Sequence, residues 1–300
     1  MKIALTDLGS NTVRMSVYDV DEEKKFQMLF SEKQMAGLAS YIDKGLLSAE
    51  GIDKACQVLQ GFQWLLRQFD MTEMKVFATA SLRNIDNTAE AVAAIRDRTG
   101  LEVDVISGET EARLDYYGAM LDSGIRDGSM FDIGGGSTEI VSVRQGIIQS
   151  AQSLPVGSLN LFNRFVTRIW PGRREMEKME RYIRKNLDRA SLPEKADQVC
   201  GIGGTARAVL KIANAHFGKE ADNRTLTGKE LRETVKILTD RESEARRLIL
   251  KCCPDRAHTI LPGAMMMENV CDKLCAGGLY ISKYGVREGY LCHKLLQDGT

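Results

Sequence analysis

The chain has 300 residues, 43% hydrophobic and 27% charged, with 41 Lys+Arg balancing 41 Asp+Glu. That is long enough for two domains with real cores, and the composition excludes a disordered or fibrous chain. No apolar stretch approaches the ~18 residues of a membrane span, and zero net charge argues against general nucleic-acid binding.

The average conceals a division. Residues 1–122 hold 13 Lys+Arg against 20 Asp+Glu, and residues 123–300 hold 28 against 21. An acidic half would supply metal ligands and a base beside a basic half that attracts a polyanion. Seven cysteines, an odd number without a repeated C-x-x-C spacing, read as reduced thiols of the cytoplasm. Cys271 and Cys275 lie one helical turn apart, but the three histidines are scattered and do not complete a zinc site. Met1-Lys2-Ile3-Ala4-Leu5 runs into a turn motif rather than a signal h-region, which also points to the cytoplasm.

In chain order, Ile3-Ala4-Leu5, the turn Asp7-Leu8-Gly9-Ser10-Asn11-Thr12 and the alternating Val13, Met15 and Val17 predict a β-hairpin. A strand near Phe26 to Phe30 follows. With Ser48 as N-cap, the spacing of Ile52, Ala55, Leu59, Phe62, Leu66 and Phe69 predicts a helix over 49–69. A strand over 74–78 delivers Thr79 to Asn84 to a loop, where Arg83 either forks onto phosphate oxygens or stays solvated. A helix over 88–98 and a strand over 101–106 lead to a helix opening Glu109-Thr110-Glu111. Two acids in a first turn are explained by the helix dipole alone, yet a strand-to-helix switch is also where α/β folds place catalytic groups. The domain boundary is expected between 122 and 123.

The second domain carries Asp132-Ile133-Gly134-Gly135-Gly136-Ser137-Thr138-Glu139, entered from Met130-Phe131 and left through Ile140 to Val143. Consecutive glycine amides form an anion-binding nest, Ser137 and Thr138 add hydroxyls, and the flanking Asp132 and Glu139 are hard oxygen ligands suited to Mg²⁺ beside phosphate. The repeat of this pattern at Asp7 suggests two lobes, each offering a phosphate loop to a shared cleft. Arginines and lysines crowd residues 164–185, either as a solvated helix face or as guidance for an anion. Gly201 to Arg207 matches G-x-G-x-x-A, but the acids some twenty positions on lie in a polar loop, so a dinucleotide site is rejected. Thr227 and Glu230 predict a capping box, Met265-Met266-Met267 core, and residues 286–296 a final helix.

Together, Asp7-Leu8-Gly9-Ser10-Asn11, Ala78-Thr79 with Leu82-Arg83, Ile106-Ser107-Gly108 with Glu111-Ala112-Arg113-Leu114, Asp132 to Glu139, Leu154 to Ser158, Gly201 to Arg207 and Tyr284 to Gly289 resemble the exopolyphosphatase and guanosine pentaphosphate phosphohydrolase family, nearly end to end. The resemblance implies two α/β domains of the ribonuclease-H-like fold shared by actin, sugar kinases and heat-shock chaperones, with mixed sheets around an interdomain cleft. It implies a catalytic glutamate at Glu111, metal-binding acids at Asp132, Glu139 and Asp7, and Mg²⁺ as cofactor. Phosphate contacts fall to Ser10, Asn11, Arg83, Gly134, Gly135, Gly136, Ser137 and Thr138, and Gly203, Gly204 and Thr205 of the third glycine turn join the candidate set. Thr110 stands where many relatives have a second glutamate, which leaves Glu111 as the base. The chain ends after the second domain, where long members add a helical region. Expected partners are polyphosphate or a guanosine polyphosphate, with no nucleic acid or membrane; a homodimer is one assembly the sequence allows. A small-molecule kinase of the same fold and a phosphate-sensing module without turnover are the alternatives.

Overall fold

The computed structural model describes residues 1–297 and divides into two compact units, Met1–Gly108 with the chain from Lys294, and Glu109–His293. The boundary by packing thus precedes the helix that carries Glu111, whereas the sequence placed it at that helix's end.

In the first unit, β1 (Lys2–Leu8) and β2 (Thr12–Val20) form the expected hairpin, Leu8 opposite Val13. The third strand, β3 (Phe26–Met35), runs further than its first five residues suggested, because all of it pairs along β2. A short hairpin, β4 (Ile42–Asp43) and β5 (Leu46–Leu47), precedes α1 (Ala49–Arg67). Ser48 caps α1 by accepting the Gly51 N–H at 3.2 Å. Ile52, Ala55, Leu59, Phe62 and Leu66 are buried along one stripe, each large side chain contributing about 1.5–3 kcal/mol. Phe69, counted in that stripe, is 56% exposed, because α1 stops at Arg67 and the chain turns away. Next come β6 (Met74–Ala78), the single turn α2 (Ala80–Arg83), α3 (Thr88–Thr99) and β7 (Val103–Val105). Arg83 therefore sits on a helical turn rather than in a loop. The sheet order is β3-β2-β1-β6-β7, antiparallel up to β1 and parallel beyond it.

The second unit opens with α4 (Gly108–Ser123), followed by β8 (Gly128–Ile133), β9 (Thr138–Arg144) and β10 (Ile147–Leu154). Then follow α5 (Ser158–Phe165), α6 (Arg173–Leu187), β11 (Val199–Ile202) and α7 (Gly203–Phe217). The chain finishes with β12 (Thr225–Thr227), α8 (Gly228–Asp240), α9 (Glu242–Cys252), α10 (Ile260–Lys273), β13 (Gly278–Ile281) and α11 (Val286–Tyr290). The sheet order β10-β9-β8-β11-β13-β12 repeats that of the first unit, an antiparallel triplet continued by parallel strands, with β12 added at the edge. The repeat glimpsed in two turn motifs is thus a repeat of architecture. Thr227 and Glu230 make the predicted capping box, at 3.2 and 2.9 Å, and Met265, Met266 and Met267 are core. The last helix is shorter than predicted, since regular turns give way after Tyr290 to a wider π turn over Leu291–Leu295. No described helix is long and apolar enough to cross a membrane.

The basic segment over 173–185 is laced with ion pairs rather than uniformly positive: Arg173 meets Glu177 at 3.4 Å and Arg184 meets Glu180, each one turn apart. Between α6, α8 and α10 lies a groove of about 380 Å³ that includes Glu180, Arg232 and Glu268. Burial, aided by Asp272 and Glu180, pushes Glu268 up to about 7. A carboxyl whose folded pKa exceeds its unfolded value favours the fold fully only below the unfolded pKa, and that advantage is lost as pH rises through 7. Glu268→Gln should therefore raise Tm relative to wild type at pH 8, by about 2–4 °C per kcal/mol recovered, and change it little at pH 4. A Tm difference independent of pH in thermal melts would contradict this.

Candidate active site

The β8–β9 register sets Asp132 opposite Glu139 and Ile133 opposite Thr138, so both carboxylates project from one face of the sheet. On the far side of β9, Ser153 lies opposite Glu139 and donates its hydroxyl proton to Glu139 Oε1 at 2.6 Å. On the near side of β8, Asp132 is opposite Ile202, the last residue of β11, and the chain passes directly into α7.

That junction explains two glycines. Gly203 has φ +80°, and a Cβ there would lie 2.0 Å from Asp132 Oδ1. A Cβ on Gly204 would lie 2.0 Å from Arg256 Nη2. Gly203 and Gly204 are bare because a carboxylate and a guanidinium rest on them.

The intervening loop is fastened from one side. The Gly134 N–H closes the turn onto the Ser137 carbonyl at 2.9 Å. The Gly134 carbonyl accepts from the Ser158 N–H at 2.9 Å and Oγ at 3.1 Å, the Gly135 carbonyl from the Leu159 and Asn160 amides, and the Gly136 carbonyl from Asn160 Nδ2 at 2.7 Å. Across a trans peptide the N–H points opposite to the carbonyl. Tying three carbonyls to the start of α5 therefore turns the amides of Gly135, Gly136 and Ser137 the other way, as a row of donors. Gly157 permits this packing, since a Cβ there would meet the Gly135 carbonyl oxygen at 2.3 Å.

The threonines serve differently from the expectation that they bind phosphate. Thr138 donates to the Val156 carbonyl at 2.6 Å and Thr205 to the Ile133 carbonyl at 2.7 Å. A hydroxyl has one proton to give; these two hold the loop's ends in place instead of facing an anion.

The charges of three guanidinium groups reach Asp132. Burial pushes its carboxyl up, and Arg207, Arg256 and Arg287 oppose that rise. Arg207 is held by the Ser282 and Lys283 carbonyls, both at 3.3 Å; burial and then the charge of Arg287 push its own pKa down. Arg287 Nη1 is buried without a hydrogen-bond partner among the described residues. Such a cluster has capacity for more negative charge than one carboxylate supplies.

The first turn of α4 separates its two acids. Glu109 is 61% exposed and pairs with Arg113 through Nε at 3.0 Å and Nη2 at 2.9 Å. Glu111 is only 8% exposed. Helix-dipole capping accounts for Glu109; it does not require a buried Glu111. One turn further, Asp115 is 2% exposed and held well above the carboxylate range by burial and by the charges of Asp132, Glu111 and Glu139. The close approach of α4 to the start of α11 depends on glycine, because a Cβ on Gly118 would meet the Gly285 carbonyl at 2.0 Å. Asp115 and Arg256 were missed in the sequence. Arg256 lies in no repeated motif, while Asp115 was legible as the position four residues after Glu111, on the same helical face.

In the first unit, Asp7 lies near the end of β1, opposite Arg14. The buried Ser10 accepts the Ala39 N–H on its carbonyl, and the Asn11 carbonyl accepts the Ala36 and Gly37 amides at 3.1 and 2.9 Å. Arg83 Nη1 donates to the Ile106 carbonyl at 3.3 Å, and the Ser81 hydroxyl to the Leu8 carbonyl. Among the described residues no three His, Cys, Asp or Glu side chains gather closely enough to chelate an ion by themselves. The Asp132–Glu139 pair suits Mg²⁺ nonetheless, since that ion commonly takes one or two carboxylates and completes its shell with water and phosphate.

The chain belongs to the Ppx/GppA phosphatase family, which it matches over residues 16–298, and the family's fold is that of the actin-like ATPases. It is 27% identical to exopolyphosphatase 1 of Mycobacterium tuberculosis, over 100% of this chain and 90% of that protein. The corresponding Mycobacterium leprae protein is 26% identical, over 100% and 92%. Among solved structures, an exopolyphosphatase from Cytophaga hutchinsonii superposes with a TM-score of 0.85 at 22% identity, covering 100% of this chain and 99% of that one. An Aquifex aeolicus family member superposes with a TM-score of 0.79 at 24% identity, covering 100% and 99%. These last two likenesses speak to the fold.

Proposed function

We propose that this chain is a Mg²⁺-dependent phosphohydrolase that removes the terminal phosphate of inorganic polyphosphate, and of guanosine penta- or tetraphosphate as substrates with the same end group. The observation that carries the reading is the buried Glu111 in the same unit as the amide row of the glycine loop and the Asp132–Glu139 pair, with the charges of Arg207, Arg256 and Arg287 reaching Asp132. The amides of Gly135, Gly136 and Ser137 bind terminal phosphate oxygens, and Arg207, Arg256 and Arg287 offset the charge that develops on the anhydride as it breaks. Glu111 accepts a proton from the attacking water. Mg²⁺, held by Asp132 and Glu139, would add charge neutralisation at the phosphate. Ser10 and Asn11 of the first unit's own loop, and Arg83 of α2, are the phosphate contacts that unit offers in this reading. Relatives named exopolyphosphatase support the polymer as substrate, and seven free cysteines suit a reducing cytoplasm.

The test is phosphate release from short and long polyphosphate, guanosine pentaphosphate and ATP, with Mg²⁺ and with EDTA. Release from polyphosphate without an added acceptor, abolished by EDTA and restored by Mg²⁺, is the expected result. Full activity in excess EDTA would remove the metal from the mechanism. Transfer only to an added acceptor would make the protein a kinase, and binding without release would make it a sensor.

A further inference from the structure

We propose that Asn160 is a positioning residue for the phosphate loop: it fixes the direction of the Ser137 amide, the last donor of the row, and so sets how many N–H groups a terminal phosphate meets. The inference deepens the phosphate-binding reading above and rests on it. Each loop amide is aimed by the carbonyl of its own peptide, since the two point opposite ways across a trans bond. The Gly135 amide is aimed by the Gly134 carbonyl, which takes the Ser158 N–H at 2.9 Å and its hydroxyl at 3.1 Å. The Gly136 amide is aimed by the Gly135 carbonyl, which takes the Leu159 and Asn160 N–H groups at 3.0 and 3.1 Å. Both carbonyls thus have two donors, and the backbone of α5 contributes to each.

The third peptide is held differently. Among the described residues the Gly136 carbonyl has a single donor, Asn160 Nδ2 at 2.7 Å. The bond from the Gly134 N–H to the Ser137 carbonyl aims the following peptide, not this one. Gly136 lacks a Cβ, so little steric resistance opposes rotation of the Gly136–Ser137 peptide once the Asn160 bond is lost. The place of Asn160 explains its reach. It is the third residue of α5, and helical side chains lean toward the N-terminus, here the end bonded to the loop. Its backbone N–H therefore holds one loop carbonyl while its side-chain amide holds the next. Rotation of the third peptide would turn the Gly136 carbonyl oxygen toward the phosphate. A repulsion would then replace an attraction where one preorganised donor is worth about 10²–10³ in rate.

Asn160→Ala and Asn160→Leu in the full chain test this. Leucine keeps nearly the outline of asparagine but has no N–H to give. Both variants should release phosphate from polyphosphate with kcat/KM lowered about 10- to 100-fold, less than the full worth of a donor because a freed peptide is still correctly aimed part of the time. Tm should fall by only about 2–4 °C, as for one lost hydrogen bond. The peptide itself is read by amide NMR with inorganic phosphate as the ligand. In the wild type the Gly135, Gly136 and Ser137 resonances should all shift on titration; in both variants the Ser137 response should fall away while the other two persist. An Asn160→Leu protein within two-fold of wild type in kcat/KM overturns the inference, because shape alone would then suffice. So does a Ser137 amide that responds undiminished in either variant. If the wild type releases no phosphate but its three amides shift, and Ser137 alone loses its response in the variants, the hydrolytic reading fails and the role of Asn160 holds. If no loop amide of the wild type responds to phosphate, the loop is not a phosphate site and this inference falls with it.

Discussion

Glu111→Gln should lower the chemical rate of phosphate release by about 10²- to 10⁴-fold while leaving substrate binding nearly unchanged, because glutamine keeps the shape and an acceptor but cannot take the proton. Two observations single out this glutamate. It is 8% exposed, whereas Glu109, two residues earlier on the same turn, is 61% exposed and paired with Arg113. A first-turn acid acting only on the helix dipole contributes about 0.3–1 kcal/mol and does so from the surface. If Glu111 were such a group, the substitution would lower Tm slightly and spare the rate. The measurements are single-turnover phosphate release and thermal melting on the same preparations. A folded Glu111→Gln protein working within a few-fold of wild type would move the base elsewhere. Glu109→Gln is the matched control: losing an exposed ion pair should cost no more than about 1 kcal/mol and leave the rate intact.

What the sequence showed and what it hid follow from the range of each interaction. The β8–β9 hairpin was legible because alternation and a glycine turn are local, and that register alone places Asp132 beside Glu139. The direction of the loop was not legible. It depends on hydrogen bonds from Ser158, Leu159 and Asn160 to carbonyls more than twenty residues earlier. Thr138 and Thr205 were read as donors to an anion because a hydroxyl beside glycines looks alike whether its proton faces phosphate or a carbonyl; only the folded chain shows Val156 and Ile133 accepting them. Arg256 comes from the segment before α10 and reaches Gly204 by tertiary packing, so no spacing rule foretells it. Phe69 was misread for a simpler reason, since the apolar spacing continues past Arg67 while the helix does not.

Gly203→Ala should nearly abolish activity, and the two glycines of this turn should respond unequally. At Gly203 the backbone has φ +80°, a conformation that costs a non-glycine residue about 1–3 kcal/mol. The added Cβ would also fall 2.0 Å from Oδ1 and 2.4 Å from Oδ2 of Asp132. Aspartate has a short side chain, and β8 is fixed between β9 and β11, so the carboxylate must swing away from its place opposite Glu139. A displacement of about 1 Å in a catalytic constellation can cost 10²-fold in rate, and a loss of at least that size is expected here together with a lower Tm. At Gly204 the obstructing atoms belong to the far end of Arg256, which can retreat; Gly204→Ala should keep Tm near wild type and lower the chemical rate less than Gly203→Ala does. A double-mutant cycle isolates the contact: in an Asp132→Ala background, Gly203→Ala should lower Tm less than in wild type, because only the backbone cost remains. An equal Tm loss in both backgrounds would mean that Asp132 does not rest on Gly203, and the positioning of that carboxylate would need another cause.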